Sequence, residues 1–538
     1  MAVEENRVII RADSGATVGA GHLMRTLALA NGCRRIGLHV TFAIGDVPGS
    51  IARKISAAGC KIVSITGDRG TDADAAETRK LTTELDADWV VLDGYCFGDN
   101  YQNLVKSGDT MLMVVDDFGH GRHLHADLVL NQNAYADPSR YRQLPDTKIL
   151  CGIRYTMLKP EFGSQLNEKV QSKKVRGTAK KILVTMGGSD SANYTLPVMQ
   201  ALAQVDGCRA ADVFVDCVTG PNFAHEQTLR AFERSSNFNF RIHRNVDRMD
   251  VLMRNADLAI TAGGSTCYEL AKLGIPAIAI PTAENQIPVV KDLSKRNTLC
   301  RFKSSQVERN VGHGQQSVLS KFIKTIIDNA PQRQAMSDAG KQLIDGLGVN
   351  RVARAMYSEL LEFRNVTMAD AELLLAWRND PEVRSVSFHS EPIKIEEHRQ
   401  WLARSIAMPQ RILLMAEDRQ GNAIGRIQID FTNENMNSVT IGIIVGLEHR
   451  ARGLGTILIE KSTSALFKAE KKVQQIVAQV KPGNLASERA FRKAGFISTP
   501  STTVNQQLAH EFILHRFYQS YEDVSVDQSQ VSVVARAA

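Results

Sequence analysis

The sequence predicts an α/β protein, with two doubly wound parallel-sheet units in tandem and a smaller third unit after them. Three observations predict it. Short β-branched runs alternate with helical patterns from residue 6 to residue 361. A glycine-rich turn follows a strand in each half of that stretch. Near Phe363 the pattern changes to a β-meander followed by a helix. A chain of 538 residues also suits three domains, each able to bury its own core.

In the first unit, residues 1–158, buried parallel strands are expected at 8–10, 39–44, 61–65, 89–92 and 111–115. Helices at 26–35, 51–58 and 75–85 supply crossovers between them. Residues 159–178, with Pro160, Gly163 and a Lys/Gln/Ser-rich run, read as a linker. The second unit, 179–361, offers strands at 181–185, 212–218, 238–242, 258–261 and 277–281, then a helical stretch over 316–361. Two such units leave a cleft between their carboxyl strand ends. The third unit, 363–521, shows a helix at 372–377, strands at 412–417, 423–431 and 439–445, and a helix from Gly455. The tail, 522–538, is small and polar and is expected to be disordered.

Composition narrows the classes of function. A net charge of +7 without a long Lys/Arg block argues against a nucleic-acid arm. That mild positive balance suits small polyanionic ligands such as nucleotide diphosphates. The eight cysteines show no CxxC and no paired spacing, which argues against a zinc site or a disulfide framework. No metal is expected. The acidic, polar start is unlike a signal peptide, and no apolar run approaches the roughly 20 residues that span a bilayer. No membrane partner and a cytoplasmic, reducing location are therefore expected; oligomeric state is left open.

The first turn carries the most chemistry. Arg11-Ala-Asp13-Ser-Gly15-Ala-Thr-Val-Gly19-Ala-Gly21-His22-Leu-Met-Arg25 joins a strand to a helix. Glycines at such a turn let backbone N–H groups approach an anion. The helix dipole and the arginines disfavour an imidazolium, so His22 is expected to be neutral, as a general base facing a phosphorylated ligand must be. In the second unit, Gly263-Gly264-Ser265-Thr266 at a strand-to-helix turn forms another anion site. Glu269, one turn further on, is placed to accept both hydroxyls of a ribose. Asn285 and Gln286 suit a sugar. Ser265 and Thr266 also fit simple helix capping, with Glu269 on a solvated face.

The run Gly-Gly-Ser-Thr…Glu269…Gly-Ile-Pro…Asn285-Gln286 resembles the UDP-binding half of GT-B enzymes such as the lipid II glucosaminyltransferase. The motif Arg11-x-Asp13…Gly19-x-Gly21-His22-x-x-Arg25 resembles the UDP-sugar hydrolases of pseudaminic acid synthesis. These remove UDP from UDP-2,4-diacetamido-2,4,6-trideoxy-β-L-altropyranose. Asp93-Gly-Tyr95, Asp116-Asp117 and Asn131-Gln132-Asn133 are similar too. The resemblance covers about residues 6–360. It implies a GT-B fold whose acceptor is water, with His22 as base. It gives the diphosphate to Ser265 and Thr266, the ribose to Glu269, and the sugar pocket to Tyr95, Asn285 and Gln286, with Arg11, Asp13, Gly21, Arg25 and Gly264 also at the UDP-sugar site. Gly187-Gly188-Ser189-Asp190 is expected along the same cleft.

In the third unit, Arg450-Ala-Arg452-Gly453-Leu-Gly455 at a strand-to-helix turn places successive N–H groups around a pyrophosphate. It resembles the acetyl-CoA loop of GNAT N-acetyltransferases, and so does Asn484-x-x-Ser487-x-x-x-Phe491-x-x-x-Gly495-Phe496 downstream. The resemblance implies an α+β GNAT domain with acetyl-CoA as co-substrate. Phe491 departs from the tyrosine that many of these enzymes use to protonate the departing thiolate. Trp377, Arg378, His398 and Trp401 are similar to substrate-side residues of related acetyltransferases, while both tryptophans fit a packed core equally well. The leading expectation is a bifunctional enzyme that N-acetylates a 4-amino UDP-sugar and hydrolyses its product. A GT-B glycosyltransferase with a sugar or lipid acceptor, and a third unit serving only as an acyl-CoA sensor, are the alternatives.

Overall fold

The computed structural model describes residues 6–12, 21–45, 47–119, 123, 125–142, 144, 146–163, 175–205, 213–236, 239–307, 316–432 and 436–516. The expected tail and most of the expected linker lie outside them.

In the first unit, apolar β-branched runs form strands and amphipathic segments cross between them. The elements are β1 (Arg7–Ala12), α1 (Gly21–Arg35), β2 (His39–Ile44), α2 (Gly49–Ala57), β3 (Lys61–Ser64), α3 (Asp72–Glu84), β4 (Trp89–Asp93), α4 (Asp99–Val105), β5 (Met111–Val115), β6 (Leu128–Asn131) and β7 (Lys148–Cys151). The strands pair in parallel, in the order β3-β2-β1-β4-β5-β6-β7. The order reverses between β1 and β4, and the crevice beyond their carboxyl ends is where such sheets take ligands. The five expected strands are present. The four-residue strands β6 and β7 were not foreseen, because runs so short carry no periodicity.

The second unit contains β8 (Lys181–Thr185), α5 (Thr195–Ala203), β9 (Phe214–Thr219), α6 (Glu226–Ser235), β10 (Phe240–Arg244), α7 (Met249–Asn255) and β11 (Leu258–Ala262). It continues through α8 (Thr266–Leu273), β12 (Ala277–Ile280), α9 (Gln286–Lys295), β13 (Cys300–Arg301), α10 (Val318–Asp328), α11 (Ala330–Leu343) and α12 (Gly348–Glu359). Its parallel order is β10-β9-β8-β11-β12-β13. Together these sheets form the two Rossmann-like halves of a GT-B fold. The segment 153–162 crosses between them and buries Leu158 and Phe162 in the core of the second unit.

The third unit is a mixed sheet, in the order β14 (Leu361–Asn365), β15 (Arg411–Asp418), β16 (Ala423–Phe431), β17 (Ser438–Val445), β18 (Gln475–Val480), β20 (Gln507–His515) and β19 (Ile497–Val504). Its helices are α13 (Ala371–Asn379), α14 (Pro381–Ser385), α15 (Ile395–Ile406), α16 (Leu454–Ala469) and α17 (Leu485–Lys493). Strands β17 and β18 pair only from Ser438–Gln475 to Thr440–Val477 and then diverge. Alternation along β15 assigns its two faces. Leu413 and Met415 pack with Leu374, Trp377 and Leu402 of α13 and α15, whereas Ile412, Leu414 and Ala416 pack with the α16 side.

The helix α12, read from the sequence as the end of the second unit, packs in space on α1 and α16. One apolar core therefore runs from the first sheet through α1 and α12 into the third unit. Arg354 of α12 forks onto Glu460 of α16 at 3.1 and 3.0 Å. The close approach of α1 to α12 depends on Gly32, where a β-carbon would stand 2.4 Å from Val349 Cγ1. Gly32→Val is expected to push these helices apart at a cost of about 1–3 kcal/mol. Thermal and urea unfolding of the full chain check this.

Candidate active site

The helix α1 begins at Gly21, five residues earlier than the spacing suggested, so His22 lies in its first turn. At Gly21 itself, nothing stands near the position a β-carbon would take. His22 Nδ1 lies 2.6 Å from Oδ1 of Asp93, the last residue of β4. With Nδ1–H donating to that carboxylate, Nε2 carries the lone pair, and it makes no hydrogen bond among the described residues. Arg25, one turn along α1, donates from Nε to Asp93 at 2.6 Å and from Nη1 to Asp117 at 2.8 Å. Asp117 also accepts from the Tyr95 hydroxyl at 3.1 Å and from Asn133 Nδ2 at 3.2 Å. The Tyr95 ring meets the His22 ring edge-on, with centroids 5.0 Å apart.

Burial alone would raise the Asp93 carboxyl, but Arg25 and the His22 contact hold it at about 2. Burial alone would lower the Arg25 guanidinium, and Asp117 with Asp93 keeps it firmly charged. Burial and Asp117 push the Tyr95 phenol up to about 12, so it remains a donor. Arg25 is therefore committed to two carboxylates and has no free fork for a phosphate. Arg11 is likewise engaged. It is 1% exposed, and Asp74 takes its Nε and Nη2 at 2.8 and 3.0 Å. Both arginines, expected at the UDP-sugar site, are thus held by carboxylates of the first unit. Asp13, Gly15 and Gly19 lie outside the described residues.

Across the cleft, the Asn285 side chain of the second unit lies beside the Tyr95 hydroxyl, so the two halves approach each other near His22. The Tyr268 hydroxyl of α8 receives the Ala134 N–H at 3.2 Å, a second contact between the halves. Gly264 has open space where a β-carbon would sit, Ser265 is exposed, and Thr266 opens α8. The Ser265 side chain makes no capping bond. Gln286 Oε1 accepts the N–H groups of Gly263 and Thr282, each at 2.9 Å, so it orders the glycine turn. The Glu269 carboxylate is buried and paired with Lys159 Nζ at 3.1 Å. Sequence reasoning assigned Lys159 to the linker, and no spacing signal reveals a pair 110 residues apart. Asp190 caps α5 through the N–H groups of Tyr194 and Thr195, both at 2.8 Å.

The third unit holds a cavity of about 1220 Å³ where β17 and β18 diverge. Arg450, Gly453, Gly455, Asn484 and Ser487 line it. Gly453 has φ +83°, which a side-chain-bearing residue rarely adopts, and it turns the chain into α16. Asn484 Oδ1 receives the Ser487 N–H at 3.1 Å and caps α17. Arg450 is braced by Asp380 at 2.7 Å and Glu382 at 3.1 Å. Arg452 does not line the cavity. Its guanidinium lies against Gly37, 3.2 Å from where a β-carbon there would stand. A pyrophosphate at this turn would thus rest on backbone N–H groups. Phe491 is buried against Phe496 and Phe512. Among the described residues, no group of acidic, His and Cys side chains could hold a metal, and no helix is long and apolar enough to cross a membrane.

Because folding depresses the Asp93 carboxyl, its stabilisation is whole above the ordinary aspartate range near about 4 and is lost as pH falls toward about 2. Asp93→Asn is expected to remove stability on the order of 2 kcal/mol at neutral pH. The gap from the unsubstituted chain should narrow in urea titrations as pH falls through that window.

Comparison with known proteins agrees with this architecture. Residues 361–497 match the acetyltransferase (GNAT) domain model, and residues 182–346 match the glycosyltransferase family 28 C-terminal domain model. An uncharacterized protein of Methanocaldococcus jannaschii is 24% identical over 517 residues, covering 93% of this chain and 98% of that protein. The UDP-2,4-diacetamido-2,4,6-trideoxy-β-L-altropyranose hydrolase of Campylobacter jejuni is 24% identical over 301 residues, covering 55% of this chain and 99% of its own. The crystal structure of aminoglycoside acetyltransferase AAC(6')-Ib with coenzyme A aligns at 20% identity and TM-score 0.28, covering 30% of this chain and 98% of that one. The chain is thus an enzyme in which a glycosyltransferase-28-type unit, similar to a named UDP-sugar hydrolase, is joined to a GNAT acetyltransferase domain.

Proposed function

We propose that the chain hydrolyses UDP-2,4-diacetamido-2,4,6-trideoxy-β-L-altropyranose to UDP and free sugar, and that its third unit uses acetyl-CoA to N-acetylate the 4-amino UDP-sugar precursor. Both steps belong to pseudaminic acid synthesis. The observation that carries the hydrolytic reading is the His22–Asp93 pair at the cleft, with Nε2 free. A water held by Nε2 attacks the anomeric carbon while its proton passes to the imidazole. The bond from that carbon to the UDP oxygen breaks with inversion, and Asp93 stabilises the imidazolium. UDP leaves toward the start of α8, where backbone N–H groups and the hydroxyls of Ser265 and Thr266 receive its charge. Glu269 takes the ribose, sharing its carboxylate with Lys159. Tyr95, Asn285 and Gln286 face the sugar.

Acetyl-CoA as co-substrate is supported by the glycine turn around Gly453 and by the GNAT match. Reaction in the cytoplasm fits the free thiols of the described cysteines. The competing reading, a glycosyltransferase with a sugar or lipid acceptor, separates in one assay. The chain is incubated with the diacetamido UDP-sugar and no acceptor, and rapid UDP release is expected; its absence would favour a transferase.

His22→Asn is expected to lower UDP release by about 10²–10⁴-fold, the usual share of a general base. UDP affinity by calorimetry should stay within about twofold of the unsubstituted chain, since the base does not hold the nucleotide.

A further inference from the structure

Between α13, α15 and β16, the cavity of the third unit holds positive charge to which no carboxylate is hydrogen-bonded among the described residues. Arg426 of β16 pairs across the sheet with Ile444 of β17, and both line the cavity. Its Nε is buried without a hydrogen-bond partner, and its guanidinium, 5.9 Å from the Trp401 ring centroid, makes no hydrogen bond among the described residues. The carboxylate closest in sequence, Asp430, is taken by Arg411 at 2.5 Å and Gln428 at 2.7 Å. Arg378 of α13 donates from Nη2 to the His389 carbonyl at 2.6 Å and leaves Nη1 buried and unpartnered. His398 of α15, stacked on Trp401 with centroids 5.3 Å apart, adds a third unpartnered nitrogen.

Burial first, then Arg411 and, against the opposing pull of Asp430, Arg378, bring the Arg426 guanidinium down to about 10, where it still carries its charge at neutral pH. Withdrawing a cation from water without a counter-ion opposes folding, and that cost is offset only when a ligand brings the anion. The same field repels a polycationic acceptor.

We infer that Arg426, with Arg378 beside it, is the acceptor-binding residue that selects amines carrying a phosphate or diphosphate group. The inference rests on the acetyltransferase reading above and adds which side chains read the acceptor. Arg426 binds the anion and takes no part in bond making.

The test measures initial rates of CoA release by the full chain with two amines: the 4-amino UDP-sugar, and a neutral methyl glycoside of the same amino sugar. Arg426→Met is expected to raise KM for the UDP-sugar about tenfold or more, with kcat little changed. Its kcat/KM for the glycoside should stay within about twofold, and Arg426→Lys should recover most of the lost affinity. Arg426→Met should also hold or raise the melting temperature, because it removes an unpaired charge; a purely structural guanidinium would lower it. Equal losses on both amines, or an unchanged KM for the UDP-sugar, would overturn the assignment. If the unsubstituted chain released CoA with neither amine, the acetyltransferase reading itself would fall, a result distinct from an unchanged ratio between substrates.

Discussion

At the carboxyl end of β4, one fully buried carboxylate satisfies an imidazole and a guanidinium at once. Asp93 stays ionised in that place because Arg25 and His22 lie against it, and Arg25 in turn is held by Asp117. With a neutral imidazole, two carboxylates and one guanidinium leave the cluster with a net charge of about −1, counting formal charges alone. Such a cluster does not attract a diphosphate. The proposed diphosphate site is on the other side of the cleft, where the start of α8 offers N–H groups and hydroxyls and the Glu269 carboxylate is balanced by Lys159. In the proposed reaction, proton uptake and leaving-group binding are divided between the two halves, which the Ala134–Tyr268 hydrogen bond joins.

The same α1 that carries His22 also fixes the third unit. Fifteen residues of helix span about 22 Å, with His22 at one end and Gly37, against Arg452, just beyond the other. The chamber lined by Arg378, His398 and Arg426 lies on the α13–α15 face of its sheet, and α16 and α12 fill the opposite face toward α1. One packed apolar core, continuous from the first sheet through α1 and α12, joins the third unit to the first.

Much of this fold was legible in the sequence, since buried parallel strands write themselves as apolar runs. Strands 181–185 and 423–431 were placed to the residue. What escaped were elements too short for a period, such as β6, and packing that crosses units, such as α12 against α1. In the sites, the glycine turns and His22 were visible because they are local. The partners that fix their roles were not. Asp93 and Asp117 stood out as part of a resemblance, but their grip on His22 and Arg25 spans 71 and 92 residues of chain. Arg11 misled for the same reason, because Asp74 reaches it only in the fold.

Phe491 removes the one hydroxyl that the resemblance would have used to protonate the departing thiolate, and its surroundings explain why this is tolerable. The ring completes an apolar cluster with Phe496 and Phe512 that seats α17 under the sheet, so its conformation serves packing. A thiol ionises near about 8.5, far below an alcohol, and leaves readily as a thiolate that water can protonate. The harder requirement is an amine held against the thioester, which depends on position rather than on acid. A pocket that grips an anionic group on the acceptor through buried arginines meets that requirement without a tyrosine.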